Sequence, residues 1–142
     1  MPALVDTSAW IEFFTPNGDA FVKQTLRAAL EEGVVVTVAP VLIDLLVGLN
    51  PARALDAQAV DRLQALEAVA LDWDVCERAG ALGRALARRG RRVPTVDLMI
   101  AAAAASGGHD VWHVGDRHFI AIERAGGPRH RDLSIGRGKT TP

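Results

Sequence analysis

Cysteine is all but missing from this chain of 142 residues. Cys76 stands alone, so no internal disulfide can form and no thiolate cluster can hold a metal, which fits a reducing compartment. The lone thiol is expected to pack in a core. Long hydrophobic runs are missing too, since the longest, Leu98 to Ala105, falls far short of a bilayer. The first residues lack the basic-then-apolar layout of a signal peptide, and the expectation is a soluble, cytoplasmic protein. Charge of either sign is not in excess: the net charge is −1 and the pI about 6.4, where a dedicated nucleic-acid binder is usually more basic. Neither a P-loop nor a dinucleotide fingerprint occurs, so Gly107-Gly108 reads as a helix stop. His109, His113, His118 and His130 have no zinc-ligand spacing and are assigned to surface or packing roles. No repeat and no linker divides the chain.

What is present describes one domain. Apolar residues make up 49% and charged residues 23%, enough for a core without covalent staples. Ala3 to Asp6 reads as a strand and Thr7 to Phe14 as a short helix. A turn at Thr15 to Gly18 follows, then a helix capped by Asp19 and closed by Gly33. Val34 to Val38 is a strand buried on both faces. Pro40 opens a helix through Gly48, and Asn50-Pro51 breaks the chain before an amphipathic helix with Leu55, Ala59, Leu63 and Leu66 on one face. Val69 to Leu71 is a weak third strand, and Asp74 is the expected cap of a helix with Val75, Ala79, Leu82 and Leu86 inward. An alanine-rich helix starts near Asp97, a strand spans Val111 to Val114, and His118 to Ala125 forms another helix. A last strand is placed near Leu133 to Ile135. Trp10, Trp73 and Trp112 are expected in the core. Strands alternating with helices predict an α/β protein, a three-layer α/β/α sandwich with a mainly parallel sheet. The domain covers 1–135 and a disordered tail 136–142.

Four carboxylates sit in apolar company. Asp6 and Asp116 end short apolar strands, Asp97 heads the alanine-rich helix, and Asp44 has three aliphatic neighbours on either side. An ionised carboxylate in such surroundings costs several kcal/mol, on the order of 3–5, unless a cation or hydrogen bonds offset it. No Lys or Arg lies beside Asp6, Asp44 or Asp97, whereas one divalent ion would satisfy them together, and all-oxygen ligation points to Mg²⁺ or Mn²⁺. Each acid alone can equally be a helix cap or a hydrogen-bonded buried residue. Thr7, Ser8 and Thr95 are placed to support the acids or to cap helices. Arg84, Arg88, Arg89, Arg91 and Arg92 form a run without an acid, suited to nucleic-acid phosphates or to a solvated helix end.

The segments Val5-Asp6-Thr7-Ser8-Ala9-Trp10-Ile11, Pro40 to Gly48, Val93 to Ala102 and Val114-Gly115-Asp116-Arg117-His118-Phe119 resemble, in order, the motifs of PIN-domain ribonucleases. The match is close to the VapC toxins of type II toxin–antitoxin pairs and runs from Ala3 to Ile135. The resemblance implies acids gathered at one end of a parallel sheet, binding Mg²⁺ or Mn²⁺ and hydrolysing transfer or ribosomal RNA. By it, Asp6 and Asp97 are the principal metal ligands, Asp116 holds a second metal or the attacking water, and Asp44 completes the ring. It further implies a homodimer and a VapB-type antitoxin whose C-terminal segment fills the groove. The chain departs from the pattern at Asp44, where the family usually has the longer Glu.

Three other readings compete. A phosphatase with Asp6 as nucleophile lacks its Asp-x-Asp, because Ser8 takes the second place. A response-regulator-like module lacks an acid pair and a suitably placed lysine. A catalytically weak or silent PIN domain that only binds RNA or a protein differs from the enzyme in one respect: it shows no EDTA-sensitive cleavage.

Overall fold

Ala3, Leu4 and Val5 form β1, and none has any exposed surface. A strand with no solvated side must be covered on both faces, which is the environment of a central parallel strand. In the computed structural model, which describes residues 2–135, β1 indeed lies at the middle of a five-stranded sheet. The others are β2 (Val35–Val38), β3 (Glu67–Val69), β4 (Asp110–His113) and β5 (His130–Asp132). Their order is β3-β2-β1-β4-β5, and every neighbouring pair is parallel, with Leu4 opposite Val36 on one side and Val111 on the other. The expected tail, 136–142, lies outside the described residues.

Seven helices among the described residues link and cover the strands: α1 (Thr7–Phe14), α2 (Ala20–Glu31), α3 (Ala39–Gly48), α4 (Ala54–Gln64), α5 (Trp73–Arg88), α6 (Thr95–Ser106) and α7 (His118–Arg124). Trp10 is fully buried in α1, stacked on Phe14 at 5.5 Å and meeting Phe13 edge-on at 5.7 Å. In α6, Ala101 to Ala104 are all completely buried, so the helix is enclosed all round. Its small side chains let backbones approach closely. The packing against α5 is equally tight, since a Cβ on Gly83 would stand 3.2 Å from Leu98 Cδ1.

Several sequence expectations need correction. The cap of α5 is Asp72, which accepts from Val75 N at 3.0 Å, while Asp74 pairs with Arg78 on the surface. Trp73 is 77% exposed and Cys76 is exposed, because both fall off the inward stripe of Val75, Leu82 and Leu86. β3 begins before the apolar residues and β5 ends before Leu133. Both are edge strands held by backbone pairing rather than by apolar content. Leu133 is a buried residue just after β5, its amide donating to His113 O at 2.8 Å.

The close packing of α6 gives a stability test. Ala103→Leu adds three carbons where there is no space, and is expected to cost about 1–3 kcal/mol. Urea unfolding should show a lower midpoint at unchanged slope.

Candidate active site

The chain leaves β1 for β2 and then β3, and afterwards crosses to the other side of β1 to lay down β4 and β5. In an open parallel sheet the crevice for ligands opens beyond the carboxyl ends of the two strands where the winding reverses, here β1 and β4. Asp6 follows β1 directly, and its amide donates to Trp112 O of β4 at 2.8 Å. Its side chain is the N-cap of α1, with Oδ2 accepting from Ser8 N at 3.1 Å and from Ser8 Oγ at 2.6 Å. The cap and the crevice-facing acid are therefore one residue. Ser8 Oγ in turn accepts from Val114 N at 2.9 Å, so a single hydroxyl ties the end of β1 to the end of β4.

Asp97 arrives from another direction, on the first turn of α6, and is buried. Asp116 arrives on the loop after β4. That loop turns at Gly115, whose φ of +70° is a left-handed conformation that side chains disfavour. Gly115 N donates to Asp132 Oδ1 at 2.9 Å, and Asp116 N donates to His113 Nδ1 at 3.0 Å. Burial alone would raise the Asp132 pKa, but hydrogen bonds from the Ser134 hydroxyl and from the Gly115 and Ser134 amides hold it below the usual range. Because His113 Nδ1 accepts, its proton sits on Nε2, which lies 2.8 Å from His130 Nδ1. Burial pushes the His113 pKa down, in keeping with a neutral ring.

His118 completes the cluster, against the sequence assignment to surface or packing. Its Nδ1 lies 2.8 Å from Asp97 Oδ2 and 3.2 Å from Asp116 Oδ1, and its amide donates to Asp116 Oδ1 at 2.9 Å. One donor atom from each of Asp97, Asp116 and His118 lies within 4.8 Å of the others. The signal in the sequence was the Asp-x-His spacing at the end of a buried strand. Alone that spacing is commonplace.

The acids repel one another. Burial raises the Asp97 pKa to about 6, with the charges of Asp116 and Asp6 adding to it and His118 opposing it. Burial likewise raises Asp6, the hydrogen bonds from Ser8 opposing and Asp116 adding. Among the described residues no lysine or arginine pairs with any of the three. Two carboxylates and an imidazole with converging donor atoms, backed by a third buried carboxylate, are a donor set that suits a divalent cation.

The other sequence candidates are scattered. Asp44 is exposed rather than buried, and its neighbours Ile43, Leu46 and Val47 are themselves exposed, so the apolar window marks an open face of α3. It accepts from Thr7 Oγ1 at 3.3 Å, at the first turn of α1. Thr95 is exposed and lines an apolar hollow between α5 and α6 with Val75 and Leu98, without a hydrogen bond to any acid. Arg84, Arg88, Arg89, Arg91 and Arg92 are all exposed. Of these, Arg91 and Arg92 line a cleft of about 440 Å³ that also includes His118 and Arg117, a cation the sequence reading passed over.

A family model described as PIN domain matches residues 3–125. No curated protein matches the sequence. Among solved structures the chain is similar to VapBC-5, a toxin–antitoxin system member from Mycobacterium tuberculosis, at 29% identity over 93% of this chain and 98% of that one, with a TM-score of 0.60. It shares its fold with the DNA-bound VapBC from Salmonella typhimurium, at 22% identity over 94% and 98% of the two chains and a TM-score of 0.72. The same holds for VapBC2 from Rickettsia felis bound to a promoter fragment, at 16% identity over 93% and 98%, with a TM-score of 0.73.

The raised Asp97 pKa sets a pH dependence. The folded group holds its proton up to about pH 6 and the unfolded one only to about 3.8, so its contribution to stability is full below the lower value and lost through the upper. In EDTA, Asp97→Asn should match the wild-type Tm near pH 4 and exceed it by roughly 3–8 °C at pH 7. Thermal melts of both proteins across that range check it. A constant difference would assign the effect to something other than Asp97 ionisation.

Proposed function

The chain belongs to the PIN-domain family, and from that premise we propose that it is a metal-dependent ribonuclease, the toxin of a toxin–antitoxin pair. The observation that carries this reading is the convergence of Asp6, Asp97 and Asp116 at the β1/β4 switch point with no lysine or arginine among the described residues to neutralise them. Asp97 and Asp116 would hold a Mg²⁺ or Mn²⁺ ion together with Asp6. When bound, that ion supplies positive charge to the phosphoryl oxygens and lowers the pKa of water.

The protein's own part is positioning and electrostatics. Ser8 fixes the Asp6 carboxylate through Oδ2, which leaves Oδ1 without a hydrogen bond among the described residues. His113 and Asp132 hold the loop of Asp116 from behind, so its carboxylate is presented without a search through loop conformations. Arg91, Arg92 and Arg117 line the cleft that His118 also borders, with cations that would meet RNA phosphates and set register without reading bases. Arg84, Arg88 and Arg89 do not line that cleft, and as exposed cations they would add only to the general attraction for RNA. Thr7 joins Asp44 to the rim of the site, where that shorter acid would act on substrate or solvent. Thr95, at the head of α6, would support Asp97 through the helix it starts.

A VapB-type antitoxin and a homodimer belong to this reading. The solved relatives named above are toxin–antitoxin systems. Ile43, Leu46 and Val47, exposed on α3 beside Asp44, are the kind of surface that such contacts cover. No helix among the described residues is long and apolar enough to cross a membrane, and a cytoplasmic site of action fits an RNA target.

Cleavage of purified RNA should require Mg²⁺ or Mn²⁺, stop in EDTA, and fall at least about a hundredfold in a folded Asp97→Asn protein. EDTA-resistant cleavage would overturn the metal-dependent reading, and no cleavage under any metal would favour the silent RNA-binding alternative. Separately, replacing Arg91, Arg92 and Arg117 with Ala should weaken binding to single-stranded RNA of any sequence. The salt dependence, plotted as log affinity against log salt, should flatten by roughly 2, or about 0.7 per lost phosphate contact. A slope that survives the triple change removes these arginines from the RNA path.

A further inference from the structure

We propose that His118 is a nitrogen ligand of the metal centre and tilts its preference from Mg²⁺ toward Mn²⁺, an inference that rests on the metal-dependent reading above. The ring nitrogen stands 2.8 Å from one carboxylate oxygen and 3.2 Å from another, on Asp97 and Asp116. Ligands about 2.1 Å from an octahedral ion are separated along an edge by about 3.0 Å, so the two distances bracket one coordination edge. The three donor atoms can therefore be neighbours around a single ion.

The ring is also prepared for that place. His118 N donates to the same Asp116 Oδ1 that its ring approaches, so imidazole and carboxylate are locked on one turn. Phe119, the next residue, is 1% exposed and roots the start of α7 in the core. The His118 side chain itself is 45% exposed, which keeps the centre open to an entering ion.

The chemistry follows from donor type. Carboxylates and water suit both Mg²⁺ and Mn²⁺, whereas an imidazole nitrogen favours the transition ion of the two. The competing role is a simple hydrogen bond from the ring Nδ1–H to the two acids. That role predicts equal effects on both ions. The other nearby ring, His113, cannot imitate a ligand, because Nδ1 accepts from Asp116 N and Nε2 is engaged with His130.

The test uses tag-free full-length protein, MnCl₂ and MgCl₂. Pulsed EPR of Mn²⁺ bound to the wild type should show ¹⁴N coupling of a directly bound imidazole, and the coupling should vanish in His118→Ala and His118→Gln. Both variants should lose about tenfold or more in Mn²⁺ affinity by calorimetry while Mg²⁺ affinity changes less than about threefold. His118→Asp, which restores an all-oxygen set, should raise Mg²⁺ affinity relative to the other two. Melts in EDTA establish that each variant is folded. Mn²⁺ bound to the wild type without nitrogen coupling, or an equal loss for both ions, overturns the ligand assignment and leaves the nuclease reading standing. Failure of the wild type to bind either ion overturns both.

Discussion

Repulsion among Asp6, Asp97 and Asp116 is the constraint to which the rest of this structure answers. Three carboxylates that share a crevice, two of them buried, would rather separate or take up protons. The fold keeps them together by delivering each from a different rigid element: a central strand end, a helix start and a loop pinned from behind. The hydrogen bonds of Ser8 join two of those elements, and the enclosed alanines of α6 fix the third. Stability is given up locally so that charge is ready for a cation.

What could be read in the sequence follows from where local pattern and final environment coincide. β1 and β2 were legible because central parallel strands are buried on both faces, and an unbroken apolar run has few other meanings. Asp6, Asp97 and Asp116 were legible for the same reason, as acids bordering such runs. β3 and β5 were misplaced because edge strands are defined by pairing, and His130-Arg131-Asp132 carries no apolar signal at all. The expected cap of α5 slipped by two residues because Asp72 and Asp74 are equally good caps on paper.

Asp44 and His118 show the opposite failure. The aliphatic neighbours of Asp44 suggested burial, yet they lie on a helix face left open. Apolar sequence on a helix does not say which of its faces the fold will cover. His118 had no spacing partner among the histidines, because its partners are two aspartates, one of them on a helix 21 residues earlier. A cluster assembled by topology leaves only a weak local trace, here the commonplace Asp-x-His spacing. The arginine run divides in the same way: two of its members reach the cleft, where they meet Arg117 from a different element.

The grip of β5 on the loop of Asp116 ties the acid cluster to the margin of the sheet. His130 and Asp132 contact His113 and Gly115, and through them the third acid is held in place. A strand paired on one side only opens more readily than the centre of its sheet. When β5 frays, the packing around β1 persists while the Asp116 loop loses its anchor. Order at the acids is thus borrowed from the part of the sheet that yields first.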